Sequence, residues 1–215
     1  MPAQKQMPAK KAAPAEAEIP ARKAAAAEAE KLCDAGKAFL DIGDSPDSHQ
    51  GNWPFLHALD AFKKALQKDP TSVKAWNGKG LALEKLGRVE DLPEAVKAYG
   101  QAVKLDPNFW KAWCNLGNVL ADLGRREDAL KAYDEATRLN PGDDGAWFNR
   151  ARLLAAMGKY AESALSYTKV VRINPDDSDA WHGIGVALRK LKRNEEAEAC
   201  FRKEAELESK NAPPS

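Results

Sequence analysis

The sequence predicts an all-α solenoid of antiparallel helix pairs, and three observations carry that expectation. Tryptophan recurs at Trp76, Trp113, Trp147 and Trp181, at intervals of 37, 34 and 34 residues. An apolar pattern of helical period follows each one, and Pro107, Pro141 and Pro175 close the first three of these units. No stretch reads as a strand. Self-similarity at such a period marks stacked units that bury their apolar faces on their neighbours, so the length counts repeats and not globular domains.

The unit from Trp110 to Asp143 shows the pattern most fully. Trp113, Leu116, Gly117, Leu120 and Leu123 share one face of a helix, which Gly124 ends as a C-terminal cap. A second helix follows with Ala129, Tyr133 and Ala136 inward, until Asn140 and Pro141 turn the chain toward Trp147. Gly117, Ala129 and Ala136 let the two backbones approach, while Trp113, Leu120 and Tyr133 are expected to fill the space between layers.

In chain order, residues 1–22 are rich in Ala, Pro and Lys and have too little to bury, so a disordered leader is expected there. They lack the apolar run of a signal peptide or membrane span. Residues 23–210 are assigned to the solenoid, with repeats at approximately 29–72, 73–109, 110–143, 144–177 and 178–210, and residues 211–215 to a disordered tail. In the first repeat Leu32 takes the tryptophan slot, followed by Gly36, Phe39, Ile42, Gly43, Ala58, Phe62, Ala65 and Pro70, with a lengthened turn between Gly43 and Ala58. The second keeps Trp76, Gly80, Leu83, Gly87, Ala95, Tyr99, Ala102 and Pro107, with a short insertion after Gly87. The fourth places Arg150 and Ala151 where the third has Leu116 and Gly117, and Ser163 and Val170 where it has alanines, so looser packing is expected. The fifth has Lys192 in place of the turn glycine and Glu204 in place of a small alanine, a charged position at which the array should stop.

The recurrence of Trp, Leu-Gly, Tyr, Ala, an aromatic, Ala and Pro resembles the tetratricopeptide repeat. That resemblance implies a right-handed superhelix whose concave groove is lined by the first helix of every pair. Residues one, two, five and eight after the tryptophan slot, on the helix face away from the packed stripe, then face the groove. The candidate peptide-binding residues are Lys74, Asn77, Lys111, Asn115, Asn118, Phe148, Asn149, Arg152, His182 and Arg189. Asn115 and Asn149 occupy equivalent places one repeat apart, so their amides are expected to stand in register, each offering a donor and an acceptor to an extended backbone. Gly78 and Gly183 interrupt this ladder on either side. Receptors of this family that hold chaperone tails use Lys and Arg at places where Cys114, Asp179 and Gly183 stand here, so that ligand is not expected.

The two turn insertions fall in equivalent places of adjacent repeats, and Trp53, Phe55, Val89 and Leu92 are candidates for a contact patch along that edge, with Trp53 folding back over its own loop as the plainer alternative. Asp41, Asp44, Asp47 and His49 lack the spacing of a calcium loop, and neither metal nor cofactor is expected.

Lys plus Arg number 33 against 32 Asp plus Glu, a formal charge of +1, so no global field draws the chain to nucleic acid or membrane. Cys33, Cys114 and Cys200 have no metal spacing and fit reduced thiols in a cytoplasmic protein. Catalysis is not expected, since His182 and Cys114 lie two repeats apart and no Gly-rich phosphate loop is present. The expected function is a non-catalytic scaffold or adaptor that binds an extended or helical peptide segment, with self-association through an array end also open. The alternatives are nucleic-acid binding through the basic cluster Arg189, Lys190, Lys192 and Arg193, and an accessory repeat subunit of a glycosyl-transfer assembly.

Overall fold

The second helix of each of the first four pairs ends with the same device, and this device spaces the array. Asp69, Asp106, Asn140 and Asn174 each donate a backbone N–H four residues back, to Ala65, Ala102, Ala136 and Val170, and a proline follows each of them. The next tryptophan then donates its indole N–H to that proline's carbonyl: Trp76 to Pro70 at 2.8 Å, Trp113 to Pro107 at 2.9 Å, Trp147 to Pro141 at 3.0 Å and Trp181 to Pro175 at 2.9 Å. All four bonds span six residues. The tryptophans are therefore half-buried pins at the inter-repeat turn, where the sequence had cast Trp113 as filler between layers. Their amphipathic rings need one wet or hydrogen-bonded end, which a turn supplies and a core does not.

The computed structural model describes residues 15–45 and 51–211. Residues 1–14, 46–50 and 212–215 lie outside the described residues, and with them most of the expected leader, Asp47 and His49, and most of the expected tail. The helices are α1 (Ala15–Gly43), α2 (Trp53–Lys68), α3 (Val73–Lys85), α4 (Leu92–Leu105), α5 (Trp110–Asp122), α6 (Arg126–Leu139), α7 (Asp144–Ala156), α8 (Tyr160–Ile173), α9 (Ser178–Lys190) and α10 (Asn194–Asn211). A single 3-10 turn, Val89–Asp91, separates α3 from α4. Successive helices pack as pairs and the pairs stack into a right-handed solenoid, with no strand among the described residues. The leader boundary at residue 22 is corrected, since α1 begins at Ala15, where alternating Ala and Glu from Ala15 to Glu18 favour helix.

Within the pairs, the turn after the first helix needs a left-handed residue. Gly124 (φ 72°) and Gly158 (φ 76°) supply it, and the N–H of the next residue reaches back to Leu120 and Leu154, at 2.9 Å in both cases. The fifth pair makes the same turn without glycine: Lys192 is held at φ 62°, and Arg193 bonds to the Leu188 carbonyl at 3.0 Å. In the second repeat the 3-10 turn absorbs the inserted residues, and Pro93 stands in the first turn of α4 where its missing N–H is not needed.

Close approach of the paired helices rests on an aromatic ring seated over glycine. A Cβ added to Gly117 would lie 2.7 Å from the Tyr133 ring, and one added to Gly80 the same distance from Tyr99. The buried core splits in the fourth repeat into two clusters, one from Ala29 to Leu153 and one from Ala151 to Cys200. Polar side chains occupy the seam and find partners there. Ser163, fully buried, donates to the Ala151 carbonyl at 2.8 Å, and Arg150 donates to Asp134 at 2.7 Å and to Ser166 at 2.6 Å.

Two stability changes follow. Lys192→Gly removes the cost of a left-handed residue with a Cβ and is expected to raise unfolding free energy by about 1 kcal/mol. Trp147→Phe keeps the apolar ring but loses the indole donor and is expected to lower it by about 1 kcal/mol. Urea melts of the two variants beside the wild type measure both; a neutral Lys192→Gly would show the turn to be unstrained.

Candidate functional site

The concave face is built by α1, α3, α5, α7 and α9, whose successive members touch across the repeats. A cavity of 440 Å³ opens between α1, α3 and α5, lined by Asp34, Lys37, Lys74, Asn77, Leu81 and Lys111 among others. A smaller one of 250 Å³ lies at the starts of α7 and α9, lined by Asp144, Gly145, Phe148, Asn149, Asp177 and Asp179.

The two asparagines expected to form a ladder do not bond to each other. Asn115 donates to Asn77 of the preceding repeat at 3.3 Å, and Asn149 donates to Asn118 of the preceding repeat at 3.1 Å. Asn118 also accepts the Tyr133 hydroxyl at 2.7 Å. The result is two amide pairs that tie α3 to α5 and α5 to α7. The two partners stand at different places in their repeats, Asn77 one residue after Trp76 and Asn118 five residues after Trp113. Gly78 and Gly183 are not gaps in a polar row. A Cβ at Gly78 would lie 2.3 Å from the Phe62 ring, and one at Gly183 would lie 2.5 Å from the Tyr167 ring. These two positions are seats for the ring of the preceding repeat.

Of the remaining candidates, Lys74 is exposed and ion-paired to Glu30 at 3.0 Å, and Lys111 lies over the Trp110 ring with its nitrogen 5.5 Å from the centroid. Phe148 meets the Tyr167 ring edge-on at 5.4 Å, and Arg152 is exposed on the same helix one turn further on. His182 Nδ1 lies 2.9 Å from Glu204, and Arg189 lies over the Phe201 ring at 5.2 Å. Both of these side chains engage the last helix. Glu204, the position read as ending the array, thus takes part in packing that helix onto α9. In the basic cluster, Arg193 is paired with Glu196 at 2.7 Å and Lys192 makes the turn.

The loop-edge residues do not form one patch. Phe55 and Leu92 pack onto the core, with the Phe55 ring over Gly43. Trp53, 48% exposed, lies against His57 at 4.3 Å and Phe39 at 5.8 Å, folded back on its own repeat. Val89 is 72% exposed.

Groove-facing phenols were not among the residues singled out from sequence. Tyr99 and Tyr133 donate to Glu84 (2.8 Å) and Asn118 (2.7 Å), fifteen residues earlier in each case. The signal was present in the aromatic slot, where Tyr and Phe pack alike but only Tyr carries a hydroxyl to the concave side. Burial raises the Glu84 carboxyl above its usual 4.5, against the opposing Tyr99 bond, and nearby Asp122 adds to the rise. Burial likewise pushes the Cys114 thiol up to about 11, with Asp143 adding to it and a bond to Asn149 opposing, so this cysteine is a poor nucleophile.

Helix pairs stacked in series, with the first helices side by side along one face, define a helical-repeat interaction scaffold. Tetratricopeptide repeat models match residues 88–144, 114–178 and 148–213, and a second such model matches residues 61–92. The chain belongs to the tetratricopeptide repeat family. No curated protein matches it. Among solved structures it is similar to MamA, with a TM-score of 0.70 and 26% identity, covering 78% of this chain and 96% of that one. It is also similar to YrrB, "a TPR protein with an unusual peptide-binding site", with a TM-score of 0.62 and 25% identity, covering 71% of this chain and 77% of that one. Pseudomonas aeruginosa PilF shares the fold, with a TM-score of 0.70 at 20% identity over 90% of this chain and 79% of that one. No helix among the described residues is long and apolar enough to cross a membrane.

The Glu84 environment gives a pH signature. Its folded-state pKa lies above 4.5, so its favourable contribution is complete below pH 4.5 and is lost as pH rises through the folded value. Glu84→Gln is expected to remove that fall and leave the protein more stable than the wild type at neutral pH. Unfolding free energies measured between about pH 4 and pH 8 test it; parallel curves for the two proteins would contradict the assignment.

Proposed function

We propose that the chain is a non-catalytic scaffold that holds an extended segment of a partner protein in its concave groove, with the amides of Asn77, Asn115, Asn118 and Asn149 as the backbone-reading surface. The observation that carries this reading is the pairing of those four amides. Each pair uses one amide hydrogen and one oxygen, the Asn118 oxygen also takes the Tyr133 hydroxyl and Asn149 also bonds to Cys114, and the capacity that remains on these half-buried side chains is left to a ligand or to water. A peptide backbone alternates the same two groups, so an amide-lined groove holds a chain with little regard to its sequence. Pre-pairing fixes the side-chain rotamers before binding, which lowers the ordering cost on association. The likeness to YrrB, whose peptide-binding site is named as such, supports the same use of this groove. Two of the four residues of the basic cluster are drawn into contacts, Arg189 with Phe201 and Arg193 with Glu196, which weakens the nucleic-acid alternative.

Asn115→Ala combined with Asn149→Ala is expected to lower affinity for a partner by roughly tenfold, and to lower unfolding free energy by about 1 kcal/mol for each inter-helix amide bond lost while the protein stays folded. The check is a pull-down from native lysate with wild-type and double-variant baits, followed by titration of whatever protein only the wild type retains. Equal retention by both baits would rule out the amide groove.

A further inference from the structure

The tyrosines of the second, third and fourth repeats are equivalent, yet only two of their hydroxyls have an acceptor. Tyr99 donates to Glu84 and Tyr133 to Asn118, each fifteen residues earlier. Fifteen residues before Tyr167 stands Arg152, a side chain with donors only. Tyr167 is 7% exposed, with its ring fixed edge-on to Phe148 and seated over Gly183, both on the groove face. Its hydroxyl makes no hydrogen bond among the described residues. It is not sealed off either, since no fully enclosed side-chain polar atom among them lacks a partner. The hydroxyl therefore keeps access to solvent. Arg152 is exposed beside it and makes no ion pair among the described residues, whereas Arg150, on the same helix, is held by Asp134 and Ser166.

We propose that Arg152 and Tyr167 together form a carboxylate-binding point in the groove, which selects a partner segment carrying an acidic side chain. This rests on the groove reading above and names the chemistry it prefers. Burial raises the Tyr167 phenol above its ordinary value, and the charge of Arg152 opposes that rise without reversing it, so the hydroxyl is a neutral donor at pH 7. Asp177 and Asp179 face the same ring from the start of α9 and act in the other direction. They repel an anion that approaches from that end. A single acidic side chain entering from the Arg152 side fits both conditions, while an acidic tract does not. A guanidinium and a phenol converging on one carboxylate form charge-assisted bonds, stronger than the neutral amide contacts along the rest of the groove.

The test is an NMR titration of the full chain with two blocked pentapeptides, Gly-Ser-Glu-Ser-Gly and the same peptide with Gln at its centre. The Glu peptide is expected to shift the Arg152 Nε and Tyr167 ring signals and to bind roughly tenfold more tightly than the Gln peptide. Arg152→Gln should abolish that preference, and Tyr167→Phe, which keeps the ring packing, should reduce it about threefold. Equal binding of both peptides, seen at the Asn115 and Asn118 amides with Arg152 unmoved, would overturn the carboxylate point and leave the groove reading standing. A Glu preference that survives in Arg152→Gln would overturn the assignment to these residues. No response of any groove residue to either peptide would overturn both readings.

Discussion

The array depends on one contact repeated five times: an aromatic ring on the second helix of each pair seated against glycine. Phe62, Tyr99, Tyr133, Tyr167 and Phe201 fill this role, over Gly36 and Gly78, Gly80, Gly117, Gly183 and Gly185 respectively. Every one of these seats would bring an added Cβ below 3.0 Å from a ring atom. Backbone approach and ring volume are therefore matched to each other, as close packing requires. In the fourth repeat Ala151 replaces the glycine of the same pair, and the Tyr167 ring takes its seat on Gly183 of the next. Phe62 meets both Gly36 of its own pair and Gly78 of the next, so that ring closes one pair and docks the following one.

Tryptophan does a different task. The four indole bonds to proline carbonyls are local, six residues long, and they fix how the chain leaves one pair and enters the next. Side-chain caps reinforce three of these entries, with Ser72, Asp143 and Asp177 accepting from the N–H groups of Ala75, Ala146 and Ala180. Rings set the distance between layers and indoles set the turn. Once both are placed, the first helices present their remaining faces to the concave side, and amides from neighbouring repeats come within bonding distance. The polar groove is thus a consequence of apolar packing behind it.

The fourth repeat is where this uniformity breaks, and function and stability meet there. Arg150, Ser163 and Ser166 bring polar groups into a layer that elsewhere is apolar, and the core divides at that layer. Each polar group is satisfied, so the seam carries no unpaired buried donor. Arg152, two residues after Arg150 on the same helix, is exposed. A repeat with a weaker apolar case for its sequence is the one with the most open hydrogen-bonding capacity toward the groove.

Much of the fold was legible because its signals are local. Trp spacing, the Gly124 and Gly158 turns, the Asn-Pro stops and the Gly117 with Tyr133 pairing can each be read within one 34-residue unit. The end of the Ala-rich leader lies earlier than its composition suggested, since Ala and Glu carry helix propensity even where Pro stands among them. In the groove, the candidate residues sit on the first helices as the spacing implies, but their partners could not be read from it. Asn115 meets Asn77 and Asn149 meets Asn118, at two different positions of the preceding repeat, a contact between layers that no single repeat encodes. Gly78 and Gly183 looked like gaps until rings from the previous repeat were found above them. The sequence by itself determined the repeat, its period and the faces of its helices, since those follow from periodicity and backbone chemistry. Only the tertiary structure decided which amides pair, and which tyrosine is left without an acceptor, since those depend on the angle at which one layer rests on the next.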